Sequence, residues 1–157
     1  MFGGPRAWRS FSACSLFFIY LASEAIGPYG SDAQKENWLP KLANGELIGT
    51  FAVAENLAEI TESHVSTAVK DGALNGTKLV VPHGLVADIA VVLASSADGL
   101  CLVVAPLDGV GRKPVDVIDP TLAAATLDFE NTPVEMLGAQ GKGWSQFETV
   151  LHRAAVL

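Results

Sequence analysis

The sequence predicts an α+β fold, in which a central antiparallel β-barrel or sandwich is flanked by N-terminal helices and one C-terminal helix. Two observations carry this prediction. Apolar residues recur at helical spacing near both ends, and short Val-, Ile- and Leu-rich runs separated by turn residues fill the middle. At 157 residues, half of them hydrophobic, the chain has the length of one domain or slightly more and can bury a sizeable core.

The first predicted helix covers residues 12–27 and ends at a turn formed by Gly27-Pro28-Tyr29-Gly30. Arg6 and Arg9 precede its apolar stretch, a pattern that also fits a secretory signal peptide. The stretch is too short to span a bilayer. Its apolar pattern continues through Ile26 toward the next helix, so we favour a buried helix, cut off at its start, over a secretion signal.

The second predicted helix covers residues 32–43. Ser31 is the expected N-cap, and Asp32 and Gln34 follow it, although the capping-box spacing is slightly off. Asp32 places acidic charge in the first turn, which the helix dipole favours. Asn44-Gly45 supplies the expected C-terminal stop.

The middle of the chain predicts seven short strands. Residues 47–54 form the first, whose continuous apolar character is typical of a buried strand. The dipeptides Asp71-Gly72 and Asn75-Gly76 are expected to form turns between later strands. Those later strands are predicted over residues 64–69, 78–82, 89–94, 100–105, 115–118 and 123–129. Many short strands joined by turns indicate a sandwich or barrel.

The last segment returns to helical periodicity. Its apolar residues fall on one helix face: Trp144, Phe147, Val150, Leu151, Ala154 and Leu157. The stripe stops in mid-pattern without a capping residue, so we expect this helix to lack a packing partner and both ends of the chain to be cut.

Composition excludes several classes of function. The net charge of −7 and a pI near 4.8 argue against nucleic-acid binding, which needs clustered basic residues. Cys14 and Cys101 lie far apart in apolar settings and are expected to be buried thiols. The three histidines share no metal-ligand spacing. We therefore expect a cytoplasmic protein without a metal site or a membrane span.

Several motifs resemble those of one family. Residues 30–46 read GSDAQKENWLPKLANGE, and residues 51–55 read FAVAE. The chain continues with DGALNGTK at 71–78, GLVAD at 84–88, DFENTPVEMLG at 128–138 and GKGW at 141–144. Together, and in this order, these motifs resemble the acyl-CoA dehydrogenase family over roughly residues 20–157. The resemblance implies three parts: the end of an N-terminal helical domain (1–46), a middle β-domain (47–138) and the start of a C-terminal helical domain (139–157).

The resemblance also implies a chemistry. Members of the family remove two hydrogens from an acyl-CoA thioester, with a carboxylate base taking the α-proton and FAD accepting hydride. It implies an acyl-CoA substrate, an electron-transfer flavoprotein as partner and a homo- or hetero-oligomer. By the same resemblance, Thr61 is the candidate substrate-binding residue. The candidate cofactor-binding residues are Phe51, Val53, Ala54, Val80, Val81 and Pro82.

The chain departs from the family pattern where polar contacts to the flavin are expected. Ala54 stands in place of a threonine, Val80 in place of a tryptophan, and Pro82 in place of a hydroxyl residue. No catalytic base is identified: a position used by a minority of members corresponds to about Ala154, and Glu148 is expected on the polar helix face. Glu55 is expected to be a solvated or ion-paired carboxylate and not a base, and His83, in place of the family's turn asparagine, is expected at the surface. The sequence therefore favours an acyl-CoA dehydrogenase-like flavoprotein fragment of lipid or related acyl catabolism.

Two alternatives remain open from the sequence. The chain fits a non-catalytic partner subunit or inactive remnant that binds no flavin by itself, because the polar flavin contacts are missing. It also fits an exported β-domain whose signal is cleaved, because of the basic and apolar N-terminal pattern. Whether the chain is a dehydrogenase-like fragment or a partner subunit, we expect the isolated chain to bind no stoichiometric FAD.

Overall fold

The computed structural model describes residues 13–57 and 60–155. It contains three α-helices: α1 (Ala13–Tyr29), α2 (Asp32–Ala43) and α3 (Gly143–Ala154). The strands are β1 (Gly49–Ala52), β2 (Ala68–Lys70), β3 (Ala73–Val81), β4 (Ile89–Ser96), β5 (Gly99–Pro106), β6 (Gly111–Pro114), β7 (Ala125–Pro133) and β8 (Glu135–Leu137). The α+β class predicted from the sequence is confirmed.

The strands form one open, mixed sheet in the order β6-β7-β3-β2-β4-β5-β8, with β1 also paired to β4. The predicted antiparallel barrel or sandwich is therefore not confirmed for the described residues, where the sheet is open and two of its pairings are parallel. The reason lies in how the two edges of β4 are occupied. β5 pairs with one edge along its full length. β1 and β2 share the remaining edge and both run parallel to β4, with Ala52 opposite Val92 and Ala68 opposite Ser95. β1 and β2 are each paired with β4 and not with each other among the described residues, and residues 53–67 join them.

β4 is buried on both faces, and its side chains alternate between two apolar clusters. Val91 and Leu93 point toward the helices and pack in one cluster with α1 and α3. Val92 and Ala94 belong to the second cluster, which lies against β3, β5 and β7. The helix-facing cluster and the strand-facing cluster therefore share β4 as their common wall.

The N-terminal helices follow the sequence closely, with two corrections. Ser31 and Gln34 form a complete capping box: Gln34 N donates to Ser31 Oγ at 3.3 Å, and Ser31 N donates to Gln34 Oε1 at 2.9 Å. The spacing described above as slightly off is thus the correct one. The turn expected from residue 27 to residue 30 is also wrong. α1 continues through Pro28 to Tyr29, and Gly30 N still donates to Ile26 O at 2.8 Å, because a proline near a helix end removes only one hydrogen bond.

Of the two predicted turn dipeptides, only the first is a turn. Asp71 (φ 52°) and Gly72 (φ 77°) both adopt positive φ between β2 and β3, as a tight hairpin turn requires. Asn75-Gly76 lies inside β3, where the register with β7 shifts. A Cβ on Gly76 would stand 2.7 Å from Thr67 Cα, so this glycine permits close approach of two backbones and does not reverse the chain.

Two strand predictions are wrong in position. Residues 115–118 are not a strand, because β7 pairs with Gly111–Pro114 instead, and Ile118 is fully exposed. Residues 64–69 supply only the short β2, since a 3₁₀ turn occupies Glu62–His64. In both places the pairing partner overrides the local β propensity of the sequence.

α3 begins at Gly143, directly against β5. Phe147, Val150 and Ala154 are buried, whereas Leu151 of the predicted stripe is partly exposed and Leu157 lies outside the described residues. Of the predicted buried thiols, Cys101 is buried, and the Cys14 side chain lies outside the described set. Within the described part of the chain, no helix is both long enough and apolar enough to cross a membrane.

α3 approaches β5 closely at Gly143, and this packing predicts that two helical glycines differ in their tolerance of alanine. A Cβ on Gly143 would lie 2.5–2.7 Å from backbone atoms of Cys101, whereas a Cβ on Gly27 of α1 meets nothing within 4 Å. We expect Gly143→Ala to lower the free energy of unfolding by about 1–3 kcal/mol through overpacking. Gly27→Ala should be neutral or raise it by up to about 1 kcal/mol. Urea unfolding of both variants measures the contrast, and equal stabilities would contradict this packing.

Candidate functional site

An apolar cavity of about 210 Å³ lies between the helices and the ends of β1 and β3. All six residues predicted from the sequence to bind a cofactor line it, so the structure brings them together; their role remains a prediction. The lining residues are Leu21, Phe51, Val53, Ala54, Ile60, Leu79, Val80, Val81, Pro82, Phe147 and Leu151. None of them carries a charge, and we call this space the small cavity.

Aromatic packing fixes the helix side of the small cavity. Phe51 of β1 stacks on Phe147 of α3, with ring centroids 5.9 Å apart and planes inclined by 20°. Trp144 packs on the same Phe147 ring at 5.4 Å with an inclination of 60°. α3 is therefore positioned by its aromatic residues against the end of β1.

Backbone strain shapes the opposite wall. Val80 has φ +47°, a left-handed conformation that a β-branched residue rarely adopts. It lies where the β3–β7 register shifts between Lys78 and Val81. Pro82, two residues further along the chain, accepts a hydrogen bond at its carbonyl oxygen from the Thr50 hydroxyl of β1. The wall at Val80 is thus an irregular backbone segment that a hydrogen bond from Thr50 fixes in place. Irregular segments of this kind often occur at binding sites.

Thr61, the predicted substrate-binding residue, lines neither of the two cavities described here. Its hydroxyl lies 3.0 Å from the Ser63 hydroxyl, and its neighbour Ile60 lines the small cavity. Glu62 and Ser63 line a second, larger space. Thr61 therefore lies between a residue that lines the small cavity and residues that line the larger one, and its role remains a prediction.

The large cavity has a volume of about 790 Å³ and a polar character. Its lining residues are Glu62, Ser63, Ser95, Gly99, Leu100, Gly141, Trp144, Ser145 and Glu148. Glu148 is exposed on α3, as the sequence predicts. Two carboxylates and no lysine or arginine line this space, so its walls do not supply the cations that a polyphosphate group needs.

A buried ion pair stands behind the small cavity. Lys78 Nζ lies 2.6 Å from Glu55 Oε1, and their side chains are 0% and 7% exposed. The same amine donates to the Val53 carbonyl oxygen at 3.0 Å. The Glu55 carboxylate also accepts from the Ser66 N–H and hydroxyl and from the Thr67 N–H, at up to 3.2 Å. The pair thus joins the end of β1, the middle of β3 and the start of β2.

Both pKa values of this pair are lowered, which favours the charged form of Glu55 and disfavours the charged form of Lys78. Burial alone would raise the pKa of Glu55, but hydrogen bonds from Lys78, Ser66 and Thr67 outweigh burial and hold its pKa at about 2. Burial lowers the pKa of Lys78, and Glu55 opposes that effect. We take the pair as charged, because the 2.6 Å contact and the N–H groups directed at the carboxylate both require an anion.

Sequence reasoning anticipated Glu55 as solvated or ion-paired, but it missed Lys78. The available signal was its place in β3, where Leu74 and Val81 are also buried. His83, expected at the surface, is 2% exposed with φ +56°. That expectation is wrong because the segment around Leu122 covers His83, whose N–H donates to the Leu122 carbonyl oxygen at 2.7 Å. Burial lowers the pKa of the His83 imidazole, and Asp119 opposes the shift.

Comparison with known proteins identifies the family. The chain is 30% identical over 159 residues to acryloyl-CoA reductase (NADH) of Anaerotignum propionicum, covering 90% of this chain. It superposes on an acyl-CoA dehydrogenase from Geobacillus kaustophilus with a TM-score of 0.75 and 32% identity, covering 82% of this chain and 39% of that one. The chain belongs to the acyl-CoA dehydrogenase family. This acyl-CoA dehydrogenase-like chain spans 40% of the length of the Anaerotignum relative.

A third similar protein is known as a complex with reduced flavin. A glutaryl-CoA dehydrogenase from Mycobacterium smegmatis, in complex with FADH2, matches this acyl-CoA dehydrogenase-like chain with a TM-score of 0.75 and 26% identity. The match covers 90% of this chain and 39% of that structure. No family model matches the sequence. The similar proteins do not favour the alternative of a non-catalytic partner subunit.

The ion pair predicts a dependence of stability on pH. The pKa of Glu55 is about 2 in the folded chain and near 4.5 for an ordinary glutamate. The unfolded chain therefore binds more protons in this window, and the free energy of unfolding falls as the pH drops from about 4.5 to about 2. We expect a loss on the order of 2–3 kcal/mol from this group, measured by urea unfolding across the window.

Two glutamine variants provide the control. Glu55→Gln should flatten the pH dependence between these two values, because the titrating group is removed. Glu148→Gln, which changes an exposed carboxylate on α3, should leave the wild-type slope in place. Identical slopes in the wild type and in Glu55→Gln would contradict the assignment.

Proposed function

We propose that this chain supplies one wall of a flavin site in the α,β-dehydrogenation of an acyl-CoA thioester. The observation that carries the proposal is the small cavity, where the six residues expected from the family motifs meet on one apolar surface. A flavin bound there would accept the β-hydrogen of the substrate as hydride. The chain's own part is to bind and orient the ring and to exclude water from it.

The residues of the small cavity fit a flat apolar ring, and they do not fit a phosphate-bearing tail. Its side chains are aliphatic or aromatic, with no cation among them. The carbonyl oxygen of Val53 accepts from Lys78, and that of Ala54 accepts from the Leu79 N–H at 2.7 Å. The groups with which this segment can meet a ring nitrogen or ring oxygen are therefore its backbone N–H groups.

The proton-abstracting base is not assigned to any described residue. Glu55 is tied to Lys78 and to three further donor groups, and its pKa of about 2 makes it a poor base near neutral pH. Glu148 is exposed and lines the large cavity, on the other side of the segment that carries Thr61. We propose that the base belongs to a part of the assembly outside these residues.

The remaining parts of the proposal rest on the family. We propose an acyl-CoA thioester as substrate, with Thr61 near its acyl part, and an electron-transfer flavoprotein as acceptor within an oligomeric assembly. We also propose the three-part division of the chain at residues 46 and 138. Because two carboxylates line the large cavity, we propose that the phosphates of the substrate lie outside that space.

The proposed site predicts ring binding without retention of the whole cofactor. We expect the purified chain to carry no stoichiometric FAD, as judged from its absorbance spectrum. Lumiflavin, which is the ring without ribityl phosphate, should bind weakly and shift the NMR signals of Val53, Val80 and Leu151. A protein that purifies saturated with FAD would contradict the first expectation. Lumiflavin shifts confined to the large cavity would contradict the proposed site.

Restoring the missing hydroxyl should strengthen ring binding. Ala54→Thr and Ala54→Val add side chains of nearly the same shape, and only threonine adds a hydrogen-bonding hydroxyl. Because one such bond contributes about 0.5–1.5 kcal/mol, lumiflavin should bind about three- to tenfold more tightly to Ala54→Thr. Fluorescence titration of the two variants measures the ratio. Equal dissociation constants would show that position 54 does not face the polar edge of the ring.

A further inference from the structure

The Lys78 ammonium lies behind the wall of the small cavity and contacts one peptide unit of that wall. Lys78 is absent from the lining residues, whereas Val53 and Ala54 are both among them. Lys78 Nζ donates to the Val53 carbonyl oxygen at 3.0 Å. That carbonyl and the Ala54 N–H belong to the same planar trans peptide, so the N–H points away from the ammonium.

A cation bonded to a peptide carbonyl changes the N–H on the other side of the peptide. It draws electron density toward the oxygen, and successive hydrogen bonds in a chain strengthen one another. The effect is largest away from water, and the Lys78 side chain is fully buried. The Ala54 N–H is therefore a stronger donor than an ordinary amide.

We propose that Lys78 is a positioning residue that acts through the Val53–Ala54 peptide and strengthens the Ala54 N–H as a donor to an acceptor atom of the ring in the small cavity. This inference rests on the proposed function, since the acceptor is a ring nitrogen or carbonyl oxygen. Alanine has no side-chain donor, so the N–H is the donor that residue 54 offers. Lys78 thus partly replaces the hydroxyl that a threonine would supply there.

Glu55 moderates this effect. Its Oε1 atom lies 2.6 Å from the same ammonium and draws the positive charge away from the Val53 carbonyl. At a pH low enough to keep Lys78 protonated without its partner, removing the anion should therefore strengthen the Ala54 N–H, and removing both groups should weaken it. These opposite directions separate the electrostatic role from a purely structural one.

The test compares Glu55→Gln with the double variant Glu55→Gln/Lys78→Met. Both replace the carboxylate by a neutral amide whose oxygen can still accept from Ser66 and Thr67, and neither leaves an unpaired buried anion. Methionine keeps the stem volume of lysine but removes the ammonium. Lys113→Met is the matched control, because Lys113 forms an exposed ion pair with Asp128 on the same sheet.

Two readouts are expected to move together. The Ala54 amide proton, followed by NMR in the absence of ligand, should shift downfield in Glu55→Gln and upfield in the double variant, relative to the wild type. Lumiflavin should bind to Glu55→Gln at least as tightly as to the wild type, and roughly three- to tenfold more weakly to the double variant. Lys113→Met should leave both the amide shift and the affinity unchanged.

Several results would overturn the inference. Equal loss of lumiflavin affinity in Glu55→Gln and in the double variant would assign the pair a structural role only. An Ala54 amide shift that is the same in both variants would exclude the polarised peptide. If the double variant does not fold, the sign of the Ala54 shift in Glu55→Gln decides alone. Failure of every variant to bind lumiflavin would instead refute the flavin site, while the ligand-free shifts would still report on the peptide.

Discussion

The buried ion pair between Lys78 and Glu55 is the interaction on which the backbone around the small cavity depends. Taking two charges out of water is costly, and their attraction compensates only when further hydrogen bonds satisfy both groups. Here the carboxylate accepts from Ser66 and Thr67 as well, and the amine also donates to the Val53 carbonyl oxygen. Removing either partner would leave a buried charge alone, so the pair specifies the geometry around it more than it adds net stability.

The ion pair lies where two separate strands, β1 and β2, share one edge of β4. The chain leaves that edge after Ala52 and returns at Ala68. Between these two strands, the described residues of the connecting segment belong to no strand of the sheet. Glu55 fastens the beginning of this segment to its end, and Lys78 fastens both to β3. The backbone of Val53 and Ala54, which lines the small cavity, is therefore held by the bond from Lys78 to the Val53 carbonyl oxygen together with the backbone hydrogen bond from Leu79 to Ala54.

Local signals in the sequence predicted much of the fold. The capped helix after Ser31, the Asp71-Gly72 turn and the apolar stripe around Phe147 all follow from patterns within a few residues, and the structure contains each of them. The class and the gathering of the six cavity residues were predictable through the family motifs. The open mixed sheet was not, because parallel pairing of β1 and β2 with β4 is a long-range choice that leaves no local pattern.

The site features that sequence reasoning missed are of two kinds. Lys78 is a charged residue at a buried position of β3, and the three-dimensional position of Glu55 explains how its charge is accommodated there. The positive φ of Val80 is set by the register shift with β7, and a valine gives no sign of it in the sequence. Both features depend on partners that are distant along the chain.

The replaced side chains set the strength of ring binding that this wall can supply. Each lost hydroxyl contact removes about 0.5–1.5 kcal/mol, and a lost aromatic stacking partner about as much again. At the proposed flavin site, Ala54, Val80 and Pro82 together would therefore weaken ring binding by roughly 1.5–4.5 kcal/mol, or about ten- to a thousandfold. What they do not remove is the shape of the wall, which the Phe51–Phe147 stack, the shifted register and the ion pair determine through other atoms. A cavity whose form is fixed by backbone and buried charge can lose its polar side chains and still present a ring-shaped apolar surface, so affinity for the ring and the geometry of the site are separable properties in this chain.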